Sequence, residues 1–242
     1  MGEVLVGTEL QRQTLRLYGE LVCRRESWAG KLVFAAGEGA SGSGLAAAVS
    51  IAGGTALVVD PDGAAVKRAF RNGGVDFVVN SLDEALRILK NEIRKGTPVG
   101  VAVVGEVGAV VEEMRERGVV ADLYVAIKTR ELLDQGFEDR QIGDLEFSGM
   151  KRLQLGCADG IVASTEDFRI WLAERGWVEA SLRASTNLDM RIHDIRLLEI
   201  LPLEDSLRRN WVERISRYQR VIGDGARVVW LTESERDGCR SV

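Results

Sequence analysis

The residues Gly37-Glu38-Gly39-Ala40-Ser41-Gly42 stand between two apolar runs, and the second run stops on Asp60. Glycines at this spacing have three separate physical uses. Gly37 permits a tight turn off a strand, Gly39 lets backbone approach a pyrophosphate, and Gly42 allows the next helix to pack against the strand. The N-terminus of that helix offers unpaired N–H groups and the positive end of its dipole to phosphate oxygens. Ser41 and Ser43 add hydroxyl donors. Asp60, eighteen residues beyond Gly42, is placed to accept both ribose hydroxyls of an adenosine and to repel a 2′-phosphate. The chemistry implied is binding of a dinucleotide, NAD in preference to NADP. The same residues also suit a glycine turn kept for close helix–strand packing, with Asp60 capping the helix that follows.

Such a site needs a parallel sheet to carry it, and the first half of the chain has the pattern. Residues 12–26 have amphipathic helical spacing and precede an apolar strand at 31–36. After the glycines come a helix rich in Ala and Ser, a strand at 55–60, a short helix at 64–71 and a strand at 75–80. Ser81-Leu82-Asp83-Glu84 is a capping box, in which hydroxyl and carboxylate each satisfy a free backbone N–H. It opens a helix with Leu82, Leu86, Leu89 and Ile93 on one face, stopped by Gly96. Residues 99–105 form a near-continuous apolar strand, suited to burial on both faces of a parallel sheet. A helix at 107–117 and a strand at 121–127 complete the series. The alternation predicts an α/β fold, three-layer and Rossmann-like, with a doubly wound, mainly parallel sheet.

Beyond residue 130 the pattern weakens. A helix is expected over 166–175 and a short strand over 160–163, while 143–160 reads as flexible or remodelled. A long helix near 203–221, the turn Gly223-Asp224-Gly225 and a strand at 226–231 close the chain. We expect one domain over 1–242: a first half at 1–132 with the glycine turn, a remodelled segment at 133–190, and a closing helix and strand within 191–242.

The net charge of -5 argues against a nucleic-acid surface, which needs a basic stripe. Arg208, Arg209, Arg214, Arg217 and Arg220 cluster, but at helical spacing among acidic and apolar residues, so they read as a solvated helix face. No run approaches the roughly 20 apolar residues of a membrane span. The opening residues lack the basic start and apolar middle of a signal peptide. Cys23, Cys157 and Cys239 lie far apart, which points to reduced thiols in the cytoplasm. His193 is the sole histidine, so neither a Cys/His metal cluster nor a Ser-His-Asp triad with a spare base can be assembled. It reads as a surface or capping residue. Trp171, Trp177, Trp211 and Trp230 read as core or interface residues. Glu38 and Glu106 both fall at the expected C-terminal edge of the sheet. Close together they would raise one another's pKa and supply an acid; apart, they are two solvated carboxylates.

The block AGKLVFAAGEGASGSG, the segment VVDPD, NSLDEAL and VAVVGEV together resemble the NAD-binding core of urocanase (urocanate hydratase). A second block, from LLEILPLEDSL to RVVWLTESER, resembles a later segment of that family. The resemblance implies NAD as cofactor, used in the family as an electrophile that joins the imidazole of urocanate so that water can add. It implies cofactor contacts at Gly37, Gly39, Ser41, Gly42, Ser43 and Asp60, and at Glu106 and Val107, where the family has an asparagine and an alanine. The family's Asp-Gln-Thr-Ser-Ala-His-Asp row is replaced by residues 126–132, AIKTREL, and its glutamine after the glycines by Leu45. The position matching its catalytic cysteine falls near Arg169, and Cys157 lies twelve residues too early, in a stretch that reads as a turn. The family's outer regions have no counterpart here. These losses imply a urocanase-like NAD-binding protein without hydratase activity. The alternative is a shortened hydratase or lyase with another substrate, or one completed by a partner chain, its cleft lined by Glu106, Lys128 or Arg130. A small-molecule ligand besides NAD fits either reading. Apolar helices left uncovered by the missing regions predict a homodimer or a partner protein.

Overall fold

The five apolar runs of the first half lie side by side as strands of one sheet, with a helix between each and the next. The computed structural model describes residues 8–37, 40–128, 152–158, 161–162, 164–218 and 225–240. Helix α1 (Thr8–Val22) leads to β1 (Leu32–Ala36), and a 3-10 turn at Ala40–Gly42 leads to α2 (Leu45–Ile51). Then follow β2 (Thr55–Asp60), α3 (Gly63–Arg71), β3 (Phe77–Val79), α4 (Leu82–Lys95), β4 (Val99–Val104), α5 (Val107–Glu116) and β5 (Leu123–Lys128). The later elements are β6 (Arg152–Ala158), β7 (Ile161–Val162), α6 (Glu166–Glu174), β8 (Val178–Ala184), α7 (Asn187–Ile200), α8 (Ser206–Tyr218), β9 (Gly225–Leu231) and α9 (Glu233–Arg240).

The sheet runs β3-β4-β2-β1-β5-β6-β7, and every pairing is parallel except the short β7 at its edge. Alternation along the strands builds the three layers. Val33, Ala35, Ala56, Val58 and Ala102 share a buried cluster with α1, α2 and Ile215 of α8. Phe34, Ala36, Leu57, Val59, Val101 and Val103 face the other way, onto Leu82, Ala85, Leu86 and Leu89 of α4 and Val110, Val111 and Met114 of α5. Every residue of β2 is buried, as a strand covered on both faces requires. The expected α/β doubly wound fold is the observed one.

Behind α1 lies a second, antiparallel sheet of β8 and β9, in register from Val178↔Leu231 to Ala184↔Gly225. Its core is aromatic: Tyr18, Phe168, Trp171, Trp177, Trp211 and Trp230 meet with neighbouring ring centroids 5.3–6.2 Å apart. Gly19 makes this contact possible, because a Cβ there would lie 2.2 Å from the Phe168 ring. Trp211 and Trp230 are thus core residues, and Trp171 and Trp177 pack half-buried against them.

Several expectations are corrected. The five-arginine stretch is a solvated face only in part: Arg214 and Arg217 are exposed, while Arg208 and Arg209 are drawn into the protein. Arg208 is buried between Asp205 and Glu235. Arg209 donates to the carbonyls of Leu198 and Leu201 at the end of α7, and Arg214 to that of Ile51 at the end of α2. These guanidiniums satisfy carbonyls that a helix terminus leaves open; Arg220 lies outside the described residues. The Ser81 hydroxyl accepts from the Glu84 N–H, but Glu84 returns the bond to the Asn80 N–H, one residue before the cap. Cys157 sits in β6, paired with Val162, and not in a turn. Of the segment expected to be remodelled, 143–160, residues 152–158 are that strand and the rest lie outside the described residues, as do Gly223 and Asp224.

Candidate functional site

Three turns that neighbour one another in the sheet meet at the C-terminal ends of β1, β2 and β4, and Asp60 joins them. The Gly37 N–H donates to the Val59 carbonyl at 3.0 Å, so the chain leaving β1 stays tied to the end of β2. The Asp60 carboxylate accepts from the Ser41 N–H at 3.1 Å and from its hydroxyl at 2.7 Å, both on Oδ2. On Oδ1 it accepts from the Asp62 N–H at 3.0 Å. Its backbone carbonyl accepts from the Gly105 N–H at 3.4 Å, at the start of the turn after β4. Asp60 is 0% exposed.

The serines of the turn likewise face the protein. Ser41 and Ser43 are buried, and the Ser43 hydroxyl donates to the Ala40 carbonyl at 2.7 Å and accepts from the Leu45 N–H at 3.3 Å. Asp62 caps α3, accepting from the Ala64 and Ala65 N–H groups. Those bonds hold its carboxyl below the ordinary carboxylate value.

The glycines of this turn differ in what requires them. Gly37 has φ 125, in the region that side chains avoid, and no described atom lies within 4 Å of where its Cβ would be. Gly42 has neither a positive φ nor a described neighbour within that distance. The close-packing role expected of Gly42 falls instead to Gly44 and Gly100. A Cβ on Gly44 would meet Thr14 Oγ1 at 2.2 Å, and one on Gly100 would meet Ala46 at 2.9 Å. Glu38 and Gly39 lie outside the described residues.

Glu106 precedes α5 at the same edge of the sheet; its side chain is exposed and caps no N–H, and Val107 beside it is half-buried. The side chains of Lys128 and Cys157 and the whole of Arg130 lie outside the description. His193 is a fastener: its Nε2 donates to the Arg183 carbonyl at 2.7 Å, tying α7 to β8. Arg169, near the position the resemblance matches to a catalytic cysteine, is exposed on α6 and pairs with Glu166. Burial pushes the thiols of Cys23 and Cys239 up, away from the thiolate a nucleophile needs. Among the described residues no cluster of His, Cys, Asp or Glu is suited to a metal ion, and no helix is long and apolar enough to cross a membrane.

For a dinucleotide, the fit divides within the turn. No described residue covers the backbone at Gly37 and Gly42 beside β1, at the switch in strand order between β1 and β5 where such sheets bind ligands. The carboxylate that would take the ribose is turned inward. The anchoring role of Asp60 escapes sequence reading, because a carboxylate after β2 has the same spacing whether it faces a ribose or its own turn. The one available signal was Ser41, a short hydroxyl where the turn passes closest to it.

The model of the urocanase Rossmann-like domain matches residues 4–129, a little over half the chain, and the match takes in α1 through β5 with the glycine turn. The chain belongs to the urocanase family.

Proposed function

We propose that the protein is a urocanase-family NAD-binding protein that does not hydrate urocanate. One observation carries the reading: among the described residues, neither backbone strain nor packing requires a glycine at Gly42, at the C-terminal edge of the sheet. In a family whose members bind NAD at this turn, a position kept free of a side chain is explained by the approach of the cofactor's phosphates. Gly37, Gly39 and Gly42 would hold the pyrophosphate through their backbone, with Glu106 and Val107 at the neighbouring strand end. Bound NAD would supply an electrophilic nicotinamide ring, as the resemblance implies.

The absence of turnover rests on the exchange of reactive groups for others. Arg169 falls near the matched cysteine position, and Glu106 puts a carboxylate where the family has a neutral amide.

Denaturing the purified protein and analysing the supernatant by mass spectrometry tests the binding. The expected result is NAD at a stoichiometric level, either as purified or after soaking. No NAD after soaking would overturn the proposal. Urocanate, followed by its ultraviolet absorbance, is expected to persist. Consumption at a rate abolished by Gly42→Trp would instead support the hydratase reading.

A further inference from the structure

We infer that Asp60 is a positioning residue that anchors the glycine turn through Ser41, and that it does not select between NAD and NADP by accepting the ribose hydroxyls. A carboxylate has about four acceptor sites. Three of those on Asp60 are filled by the Ser41 N–H, the Ser41 hydroxyl and the Asp62 N–H, at 3.1, 2.7 and 3.0 Å. With no exposed surface, the group has no face on which two further hydroxyls can bind. Turning it outward would strip three donors of their acceptor, two of them on the buried Ser41. Its carbonyl bond to the Gly105 N–H fixes the residue's backbone as well. Asp60 therefore fixes the path of the chain over which the pyrophosphate would lie, and a 2′-phosphate on the adenosine would make no direct contact with it.

The inference rests on the dinucleotide reading for its consequence, but not for the anchor, so the test has two arms. In nucleotide-free protein, amide hydrogen exchange followed by NMR should find the Ser41 and Asp62 amides protected. In Asp60→Asn one acceptor oxygen becomes an NH2 donor, facing donors that already point at it. Exchange at these two amides should then rise by about tenfold or more, the effect of losing a charge-assisted bond. The amide of Val58, deep in β2, should stay protected. Unprotected Ser41 and Asp62 amides in the unaltered protein would overturn the anchor.

In the second arm, NAD+ and NADP+ are titrated against the unaltered protein, Asp60→Asn and Ser41→Ala. Both variants should weaken the two nucleotides in parallel, with the ratio of their dissociation constants changed less than about twofold. A shift of about tenfold toward NADP+ in Asp60→Asn alone would make Asp60 a ribose acceptor and overturn the inference. If Asp60→Asn does not fold, Ser41→Ala carries both arms, read at the Asp62 amide and in the ratio. If the unaltered protein binds neither nucleotide, the proposed function fails, and the exchange arm still decides the anchor.

Discussion

Asp60 and Arg208 are buried to almost the same degree, 0% and 3% exposed, but their surroundings satisfy them in opposite ways. Arg208, behind α1, meets formal charge: Asp205 Oδ2 at 2.5 Å and both oxygens of Glu235 at 2.6 and 2.9 Å, with the Trp177 ring 4.6 Å from its guanidinium carbon. Burial alone would lower its pKa, but the bonds to Glu235 and Asp205 outweigh that and raise it. Asp60, at the sheet edge, meets dipoles: two backbone N–H groups and a hydroxyl, with no cation paired to it among the described residues. An ion pair moves with the side chains that form it. A carboxylate solvated by backbone dipoles is satisfied only while that backbone keeps its path. The first arrangement joins elements, here α8 to α9; the second shapes a loop.

The largest break in this comparison is Arg208→Met. It leaves Asp205 and Glu235 facing each other with little solvent, and the expected loss is about 3–5 kcal/mol in urea unfolding. The pair also has an acid signature. Desolvation disfavours the Glu235 carboxylate, but hydrogen bonds from Arg208 and Thr232 outweigh it and hold the group below its ordinary value of 4.5. A depressed folded pKa contributes stability that is present above the unfolded value and is lost as pH falls through the folded one. Below about pH 4.5 the unaltered protein should therefore lose stability more steeply than Arg208→Met. Parallel acid limbs would show that the pair does not act as the geometry indicates.

Gly44→Ala is next, at about 2–3 kcal/mol, since it combines φ 79 with a Cβ placed 2.2 Å from Thr14 Oγ1. The position also shows what sequence can and cannot reveal. The sheet was legible because each strand of the first half is a short apolar run closed by a turn signal, and parallel burial on both faces tolerates no other pattern. The glycine turn was legible as a motif. Which glycine packs and which lies open was not, because that depends on α1, which contributes Thr14 from thirty residues upstream.

The second half was less legible for a related reason. Helix α7 buries Met190 and Leu197 on one side and exposes Leu188, Ile192 and Ile195 on the other, so its apolar residues have no helical period to detect. Only the capping box of Thr186 and Asp189 marks its start. Strand β8 alternates Ala180 and Ala184 inward with the polar Glu179, Ser181 and Arg183 outward, a pattern too small in apolar volume to stand out. Both elements are held by tertiary partners, β9 and the aromatic cluster, and not by local preference.

Within the turn, Ser41→Ala should cost about 2 kcal/mol, because it removes a hydroxyl bonded to a buried charge, while Ser43→Ala should cost about 1 kcal/mol for neutral bonds. Thermal unfolding of the two variants side by side measures the difference directly. Equal losses would mean that the charge on Asp60 lends the turn nothing beyond an ordinary hydrogen bond.

Gly42→Ala should have the smallest effect on stability, within about 0.5 kcal/mol, since its Cβ meets no described atom and its φ is not positive. The same methyl group would stand where no described residue covers the backbone. NAD binding and folding therefore respond in opposite order to two substitutions two residues apart. Gly44→Ala should impair folding, and Gly42→Ala should leave the melting temperature in place while weakening NAD by about tenfold or more, as a contact forced apart by one methyl group does. Equal affinity for NAD in Gly42→Ala and the unaltered protein would remove the observation on which the proposed function stands, because the open glycine would then have neither an internal nor an external use.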